Sequence, residues 1–236
     1  IIIEIAKMCV EKNIWLISDE AYRNIYYSDN GPTSIWNISD FIVPGIKGRR
    51  ISIESVSKVW NACGLRIGAL VTDNEVMFDK VRSEYTANLC ANVIGQYIFG
   101  AVANLSNQEI VDWYKVQRQY YSEIINCLVK GLKEELPGLI ISRPKASIYI
   151  ILDFSKIVPY NFKISDFIVY SAKYGKYKYN NKIYTLLLSP MNGFYSDKVS
   201  GSKLARIALV ETENKMKVVP SLLSNLLRDY LRIHSS

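Results

Sequence analysis

The chain has 236 residues, of which 49% are hydrophobic and 22% charged, so it can bury the core of one or two globular domains. Its only histidine, His234, lies in the C-terminal tail, which excludes Ser-His-Asp triads, Cys-His pairs and multi-histidine metal sites. The formal net charge of +7 suits anionic partners, from small carboxylates to nucleic acid.

The four cysteines, Cys9, Cys63, Cys90 and Cys127, are scattered and form no C-x-x-C pair. We therefore expect reduced, buried thiols rather than a disulfide framework or a zinc site. No apolar stretch is long enough to cross a membrane, and no segment has the composition of a secretory leader. These features together predict a cytoplasmic protein.

The N-terminal part alternates between helical and extended patterns. Apolar residues recur at helical spacing over residues 2–10, and an apolar run at 14–17 predicts a short strand. A loop with one helical turn at 35–38 follows, and further strands are predicted at 50–54 and 67–72. This order of elements indicates an α/β fold with a mostly parallel sheet.

Three helices are predicted next. Asn74 is placed to cap a helix over residues 75–85, and a second helix covers 92–105. A third starts after Ser106-Asn107, continues to Leu136 and ends at the stop signal Pro137-Gly138.

The C-terminal part has a different pattern, which indicates a smaller α+β domain. The predicted elements are strands at 147–154, 184–188 and 204–210, a helix capped by Ser165 that extends to 173, and an amphipathic helix at 214–231. We therefore predict a partial large domain over residues 1–107. Residues 108–236 are predicted to form the bridging helix and the small domain.

The segment from Lys173 to Lys182 interleaves lysines with three tyrosines. Such interleaving occurs in proteins that bind single-stranded nucleic acid. A short isolated run is more typical of a solvated loop with amphipathic tyrosines, and we favour that interpretation.

Lys58 lies in the segment SVSK at residues 55–58, directly after a predicted strand. A lysine that forms a Schiff base must first lose its charge, and a neighbouring cation such as Arg66 favours that loss. Arg66 could also bind a phosphate in bidentate fashion, with Ser55 as a hydroxyl donor. The alternative is an ordinary surface loop.

Asp19 and Tyr22 follow the first predicted strand, and ligands of parallel α/β sheets bind at the carboxyl ends of strands. An acid at this position could keep a pyridine nitrogen protonated, and the tyrosine could donate to a ring oxygen. The alternative is an aspartate that caps the next turn beside a half-buried tyrosine.

Arg206 lies near the start of the apolar strand predicted at 204–210. An isolated buried charge is costly, and a planar guanidinium that awaits a carboxylate would explain its position. The alternative is an arginine on an edge strand that faces water.

Together these segments resemble the class I and II aminotransferases, which are fold type I enzymes of pyridoxal 5′-phosphate. The matching segments are WLISDEAY at 15–22, SVSK at 55–58, GLRIG at 64–68, SPMNGFY at 189–195 and RIA at 206–208. Their order and spacing agree across essentially the whole chain. The turn NACG at 61–64 and the GFY segment are most similar to relatives of aspartate aminotransferase.

The resemblance implies a role for each candidate residue. Lys58 would hold the cofactor as a Schiff base and later move the substrate proton. The other implied contacts are Asp19 with the ring nitrogen, Tyr22 with the ring oxygen, Ser55 and Arg66 with the phosphate, Ser57 as a weaker phosphate candidate, and Arg206 with the substrate carboxylate. The implied reaction moves an amino group between an amino acid, such as aspartate, and a 2-oxo acid. The implied assembly is a homodimer.

The resemblance also implies that the chain is the C-terminal part of such an enzyme. The family's N-terminal half supplies a phosphate-binding turn and an aromatic residue that stacks on the cofactor ring, so this chain alone is expected to bind cofactor poorly and to expose a sheet edge. In addition, KASIY at 145–149 stands where the family usually has a glycine before the strand.

Three alternatives stay open from the sequence. Another fold type I enzyme, such as a lyase or a decarboxylase, would share the cofactor residues. An inactive fragment could serve as a structural or dimer-forming module. A nucleic-acid-binding module is the third and rests only on the basic segment.

Overall fold

The computed structural model of the protein describes residues 1–29, 31–88, 91–197 and 199–234. The chain divides into two compact units, Ile1–Val116 and Gln117–Ser236, and the division falls within the long helix α5 (Asn107–Glu135). The domain boundary predicted at 107/108 stays a prediction. Within the described ranges, every helix is too short or too polar to cross a lipid bilayer.

The first unit contains a three-stranded sheet in the spatial order β1 (Leu16–Asp19), β2 (Arg50–Ser55) and β3 (Gly68–Thr72). β1 and β2 are parallel, whereas β3 is antiparallel to β2. The predicted α/β class is confirmed, and the sheet of this unit is mixed. β1 begins two residues later than predicted, and the exposed Ile14 and Trp15 lie ahead of it.

Helix α1 (Ile2–Glu11) forms as predicted and packs its apolar stripe into a buried core. That core consists of Ala6, Cys9, Leu16, Ile35, Ile38, Val43 and Ile46. A short 3-10 helix (Ile35–Asn37) forms where one helical turn was predicted. Further α-helices of this unit are α2 (Val56–Val59), α3 (Glu75–Ala87), α4 (Val93–Gly100) and the first turns of α5.

The start of α3 confirms the predicted cap, because the Asn74 Oδ1 atom accepts a hydrogen bond from the Met77 amide at 2.8 Å. Next to this cap, Arg50 forms an ion pair with Asp73 and donates a hydrogen bond to the Ile38 carbonyl at 2.7 Å. Burial of Asp73 opposes its ionisation, but the hydrogen bonds and charge of Arg50 outweigh burial and lower the pKa of this carboxyl.

We expect the variant Asp73→Asn to lower the free energy of unfolding by about 1–2 kcal/mol near neutral pH. Since the folded-state pKa lies below the unfolded value of about 4, the wild-type pair stabilises the fold above that value and stops doing so as the pH falls through the folded pKa. The variant should therefore lose less stability on acidification, which urea denaturation at neutral and acidic pH would measure. The exposed pair Asp79–Arg82 supplies the control, and equal effects of Asp73→Asn and Asp79→Asn would contradict the prediction.

The second unit contains four strands of one sheet, β4 (Ile140–Ile141), β5 (Tyr149–Asp153), β8 (Ser189–Pro190) and β9 (Leu204–Ala208). The sheet is antiparallel, and its spatial order is β4-β5-β9-β8. A separate hairpin pairs β6 (Tyr177–Tyr179) with β7 (Lys182–Tyr184), and the helices are α6 (Ile164–Tyr174), α7 (Glu213–Met216) and α8 (Val219–His234). Four aromatic side chains, Phe154, Phe162, Phe167 and Tyr230, pack together in its core.

Three sequence predictions in this unit are wrong. The basic segment is a β-hairpin rather than a loop, because Asn180 and Asn181 adopt positive φ angles of 46° and 60°, which a tight hairpin turn requires. Consequently no single strand covers 184–188. Ser165 does not cap α6, since Lys163 is the N-cap residue and the helix starts at the buried Ile164.

The C-terminal helical segment and the cysteines also differ from expectation. The helix predicted over 214–231 is two helices, and Pro220 lies in the first turn of the second, where a missing backbone N–H costs nothing. Cys9 is buried as predicted, but Cys63 and Cys127 are exposed. Cys90 lies outside the described residues.

Candidate active site

Parallel pairing of β1 and β2 brings two predicted site residues to one edge of the sheet. Asp19, the last residue of β1, pairs with Ile53 of β2, and the turn that carries Lys58 begins directly after β2. Adjacent strands lie about 4.8 Å apart and rise about 3.3 Å per residue, so the Cα atoms of Asp19 and Ser55 are roughly 8 Å apart. This separation allows one small ligand to contact both strand ends.

The turn between β1 and the following loop agrees in part with the alternative interpretation of Asp19. The exposed Asp19 carboxylate accepts a hydrogen bond from the Ala21 amide at 3.1 Å, as a turn-capping aspartate does. A carboxylate has several acceptor positions, so this contact leaves capacity for a ligand. Tyr22 is half-buried in the same turn.

Lys58 is half-buried on the one-turn helix α2. The Ser55 hydroxyl caps this helix by accepting from the Ser57 amide at 3.1 Å, and it keeps its own O–H for donation. After α2, the Trp60 ring stacks on the Trp113 ring, with the ring centres 6.2 Å apart. Trp113 Nε1 also donates a hydrogen bond to the Val59 carbonyl at 3.1 Å. These contacts hold the Lys58 turn in place.

Arg66 is exposed and adopts a left-handed conformation with a φ of 55°. Its Nη1 donates to the Cys63 carbonyl at 3.1 Å, which leaves other N–H groups for a ligand. Helix α4 supports this loop, because the Asn92 side chain donates to the Leu65 carbonyl and a Cβ on Gly95 would approach that oxygen to 2.7 Å. Non-glycine residues in the left-handed region are strained, and such residues cluster at functional sites.

The two faces of this sheet differ in chemistry. By strand alternation, Asp19 shares a face with Ile17, Ile53 and Leu70, which are 63%, 41% and 41% exposed. The carboxylate therefore lies on an apolar face that is open to solvent within this unit.

The opposite face carries a buried polar network that the sequence analysis missed. Glu20 is 5% exposed and accepts from the Ser34 hydroxyl at 2.7 Å, from the Ile35 amide at 2.9 Å and from Arg23 at 2.7 Å. Arg23 also donates to Glu54 at 2.8 Å. Burial opposes the charge of Arg23, but the two glutamates outweigh it and raise its pKa.

This network lines a cavity of about 440 Å³, whose other walls include Trp36, Trp60, Phe99 and Tyr114. Burial raises the pKa of Tyr114, and its hydrogen bond to Asn24 only partly opposes this. Of the predicted site residues, only Ser55 lines the cavity. The signal for Glu20 was present in the sequence. Glu20 directly follows Asp19 at a strand end, and consecutive side chains of an extended segment point to opposite faces of the sheet.

Arg206 belongs to the second unit, where it lies half-buried on β9, an inner strand of the sheet. The interpretation of an edge-strand arginine is therefore wrong. Its guanidinium carbon lies 4.3 Å from the ring centre of Tyr149 and 5.0 Å from that of Phe194. Ser147 precedes this site with a φ of 75°, a conformation that favours glycine.

Comparison with known proteins identifies the family of this chain. The profile of the family described as aminotransferase class I and II matches residues 2–214. The chain belongs to the class I and II aminotransferases. The predicted family resemblance is thereby confirmed.

Individual aminotransferases align with most of this chain but with only about half of their own length. The probable aspartate/prephenate aminotransferase of Aquifex aeolicus is 28% identical over 72% of this chain and 42% of its own length. A probable kynurenine–oxoglutarate transaminase of Saccharomyces cerevisiae is 22% identical over 96% of this chain and 50% of its own length. The chain therefore spans about half the length of these aminotransferases.

Solved aminotransferase structures share the fold. The α-aminoadipate aminotransferase of Thermus thermophilus, solved with N-(5′-phosphopyridoxyl)-L-leucine, has a TM-score of 0.76 at 17% identity, over 98% of this chain and 54% of that one. The Saccharomyces cerevisiae protein Bna3p has a TM-score of 0.74 at 20% identity, over 97% and 52% of the two chains. At these identities the likeness establishes the fold type I architecture.

Proposed function

We propose that this chain provides the lysine-bearing part of a pyridoxal 5′-phosphate-dependent aminotransferase. The observation that carries the proposal is the placement of Asp19 and the Lys58 turn at one edge of adjacent parallel strands, in a chain of this family. The chain spans about half the length of its relatives. We therefore also propose, for the whole protein, aminotransferase activity, a homodimer and a cytoplasmic location.

The residues present fit the cofactor chemically. A half-buried lysine, a strand-end carboxylate and an exposed arginine with free N–H groups match an aldehyde, a pyridine nitrogen and a phosphate respectively. When bound, pyridoxal phosphate supplies an electron sink for the amino acid's α-carbon.

Each residue of the chain has a distinct task in this proposal. Lys58 holds the cofactor through its Nζ atom and later moves a proton at the substrate α-carbon. Asp19 keeps the pyridine nitrogen protonated, and Tyr22 donates to the ring oxygen. The remaining contacts are Ser55 and Arg66 with the phosphate and Arg206 with the substrate α-carboxylate.

The substrates we propose are an amino acid, such as aspartate, and a 2-oxo acid. The names of the relatives, which include aspartate/prephenate and kynurenine–oxoglutarate, support this class. The alternative of a lyase or decarboxylase uses the same residues.

An acceptor-dependence assay tests the proposal. The chain is incubated with pyridoxal phosphate and L-aspartate, with and without 2-oxoglutarate, and the oxo-acid and amino-acid products are quantified. A transaminase makes one oxo acid for each amino acid formed and needs the acceptor for repeated turnover, whereas a lyase turns over without it. Because the chain spans about half the length of its relatives, slow turnover is expected and the label on Lys58 decides the test. A Lys58 that stays unlabelled by the cofactor would contradict the proposal and favour an inactive module.

A further inference from the structure

Two aromatic rings surround the guanidinium of Arg206. In the described part of the chain its guanidinium forms no ion pair or hydrogen bond, and its contacts are the rings of Tyr149 and Phe194 at 4.3 and 5.0 Å. A half-buried arginine without a counter-ion is costly, and aromatic faces compensate part of that cost through cation–π attraction.

Two separate parts of the fold deliver the rings. Tyr149 is the diagonal neighbour of Arg206 on one face of the sheet, because Ile151 is the direct partner of Arg206 and Ala208 that of Tyr149. Phe194 ends a 3-10 helix (Asn192–Phe194) just after β8, and its amide donates to the Met191 carbonyl at 3.0 Å. The register of the strands therefore fixes one ring and a tight turn fixes the other.

We propose that Tyr149 and Phe194 are positioning residues that hold Arg206 ready for a carboxylate. A ring face restrains the cation without using any of its five N–H donors, whereas an acidic partner would occupy them and compete with the ligand. The rings also exclude water from part of the guanidinium, which strengthens its attraction for an anion. This inference rests on the proposed function, in which Arg206 binds the substrate α-carboxylate.

The test uses the full chain with isotopically labelled arginine and follows the Arg206 Nε–Hε signal by nuclear magnetic resonance. Succinate is titrated as an unreactive carboxylate probe, and succinamide serves as its neutral counterpart. Phe194 is 60% exposed, so Phe194→Leu should leave the fold intact, which thermal unfolding would verify. We expect Phe194→Leu to weaken succinate binding by about three- to five-fold and Phe194→Tyr to retain it.

The matched control is Tyr160→Leu, which removes an exposed ring that lies 5.5 Å from the Lys203 ammonium in the same unit. This variant should bind succinate like the wild type, and Tyr149→Leu should repeat the loss seen with Phe194→Leu. A wild-type signal that succinate does not shift would overturn both the proposed function of Arg206 and this inference. A wild-type response that Phe194→Leu leaves unchanged would overturn the inference alone.

Discussion

Replacing Lys58 with alanine is expected to reduce the yellow absorbance band of the chain with pyridoxal phosphate at least about ten-fold, because the band requires a lysine Nζ next to a group that retains the cofactor. The half-buried Lys58 turn, capped by Ser55 and anchored through the Trp113 indole, presents the amine in a defined place. Exposed lysines react with the aldehyde only weakly and without selection.

The control for this experiment is Lys80→Ala, which removes an exposed lysine from α3 of the same unit and should keep the band. Borohydride reduction followed by peptide mapping would show whether the pyridoxyl group is on Lys58. Equal labelling of Lys58 and Lys80 in the wild type, or an unchanged band in Lys58→Ala, would contradict the prediction. A second variant, Lys58→Arg, keeps the charge and should lose the band as well.

Local patterns were sufficient to predict most elements of this fold. The apolar stripe of α1, the Asn74 cap and the stop signal after α5 all depend on neighbouring residues alone, and each formed where predicted. The failures have local causes too. In the lysine-rich segment at 173–182, Asn180 and Asn181 form a tight hairpin turn. In the C-terminal segment, apolar residues recur at helical spacing without a break, but a new helix begins next to Pro220.

The site was less accessible to sequence reasoning, because its contacts depend on strand register. The motif around Asp19 placed the acid at a strand end, but only the pairing of Asp19 with Ile53 shows that the Lys58 turn meets the same edge. Tyr149 and Phe194 are distant in sequence from each other and from Arg206, so their shared contact could not be derived from spacing. No role was predicted for Glu20, because the family motif at this position assigns the functional carboxylate to Asp19.

The second large effect is expected when Glu20 is replaced. We expect Glu20→Ala to lower the free energy of unfolding by about 3 kcal/mol, since it leaves the Ser34 hydroxyl and the Ile35 amide buried without their acceptor and removes one of two carboxylates from Arg23. Glu54 still accepts from Arg23 at 2.8 Å, which keeps the loss below that of a fully isolated buried charge.

Urea denaturation of the full chain measures this loss, with Glu4→Ala as the matched control. Glu4 pairs with Lys7 on the surface, where both side chains are more than half exposed, so its removal should change stability by less than about 0.5 kcal/mol. Glu20→Gln should fall between the two, because it retains the shape and one acceptor oxygen but loses the charge opposite Arg23. If Glu20→Ala were as stable as Glu4→Ala, the Glu20 network would contribute nothing measurable to stability, and the prediction would be wrong.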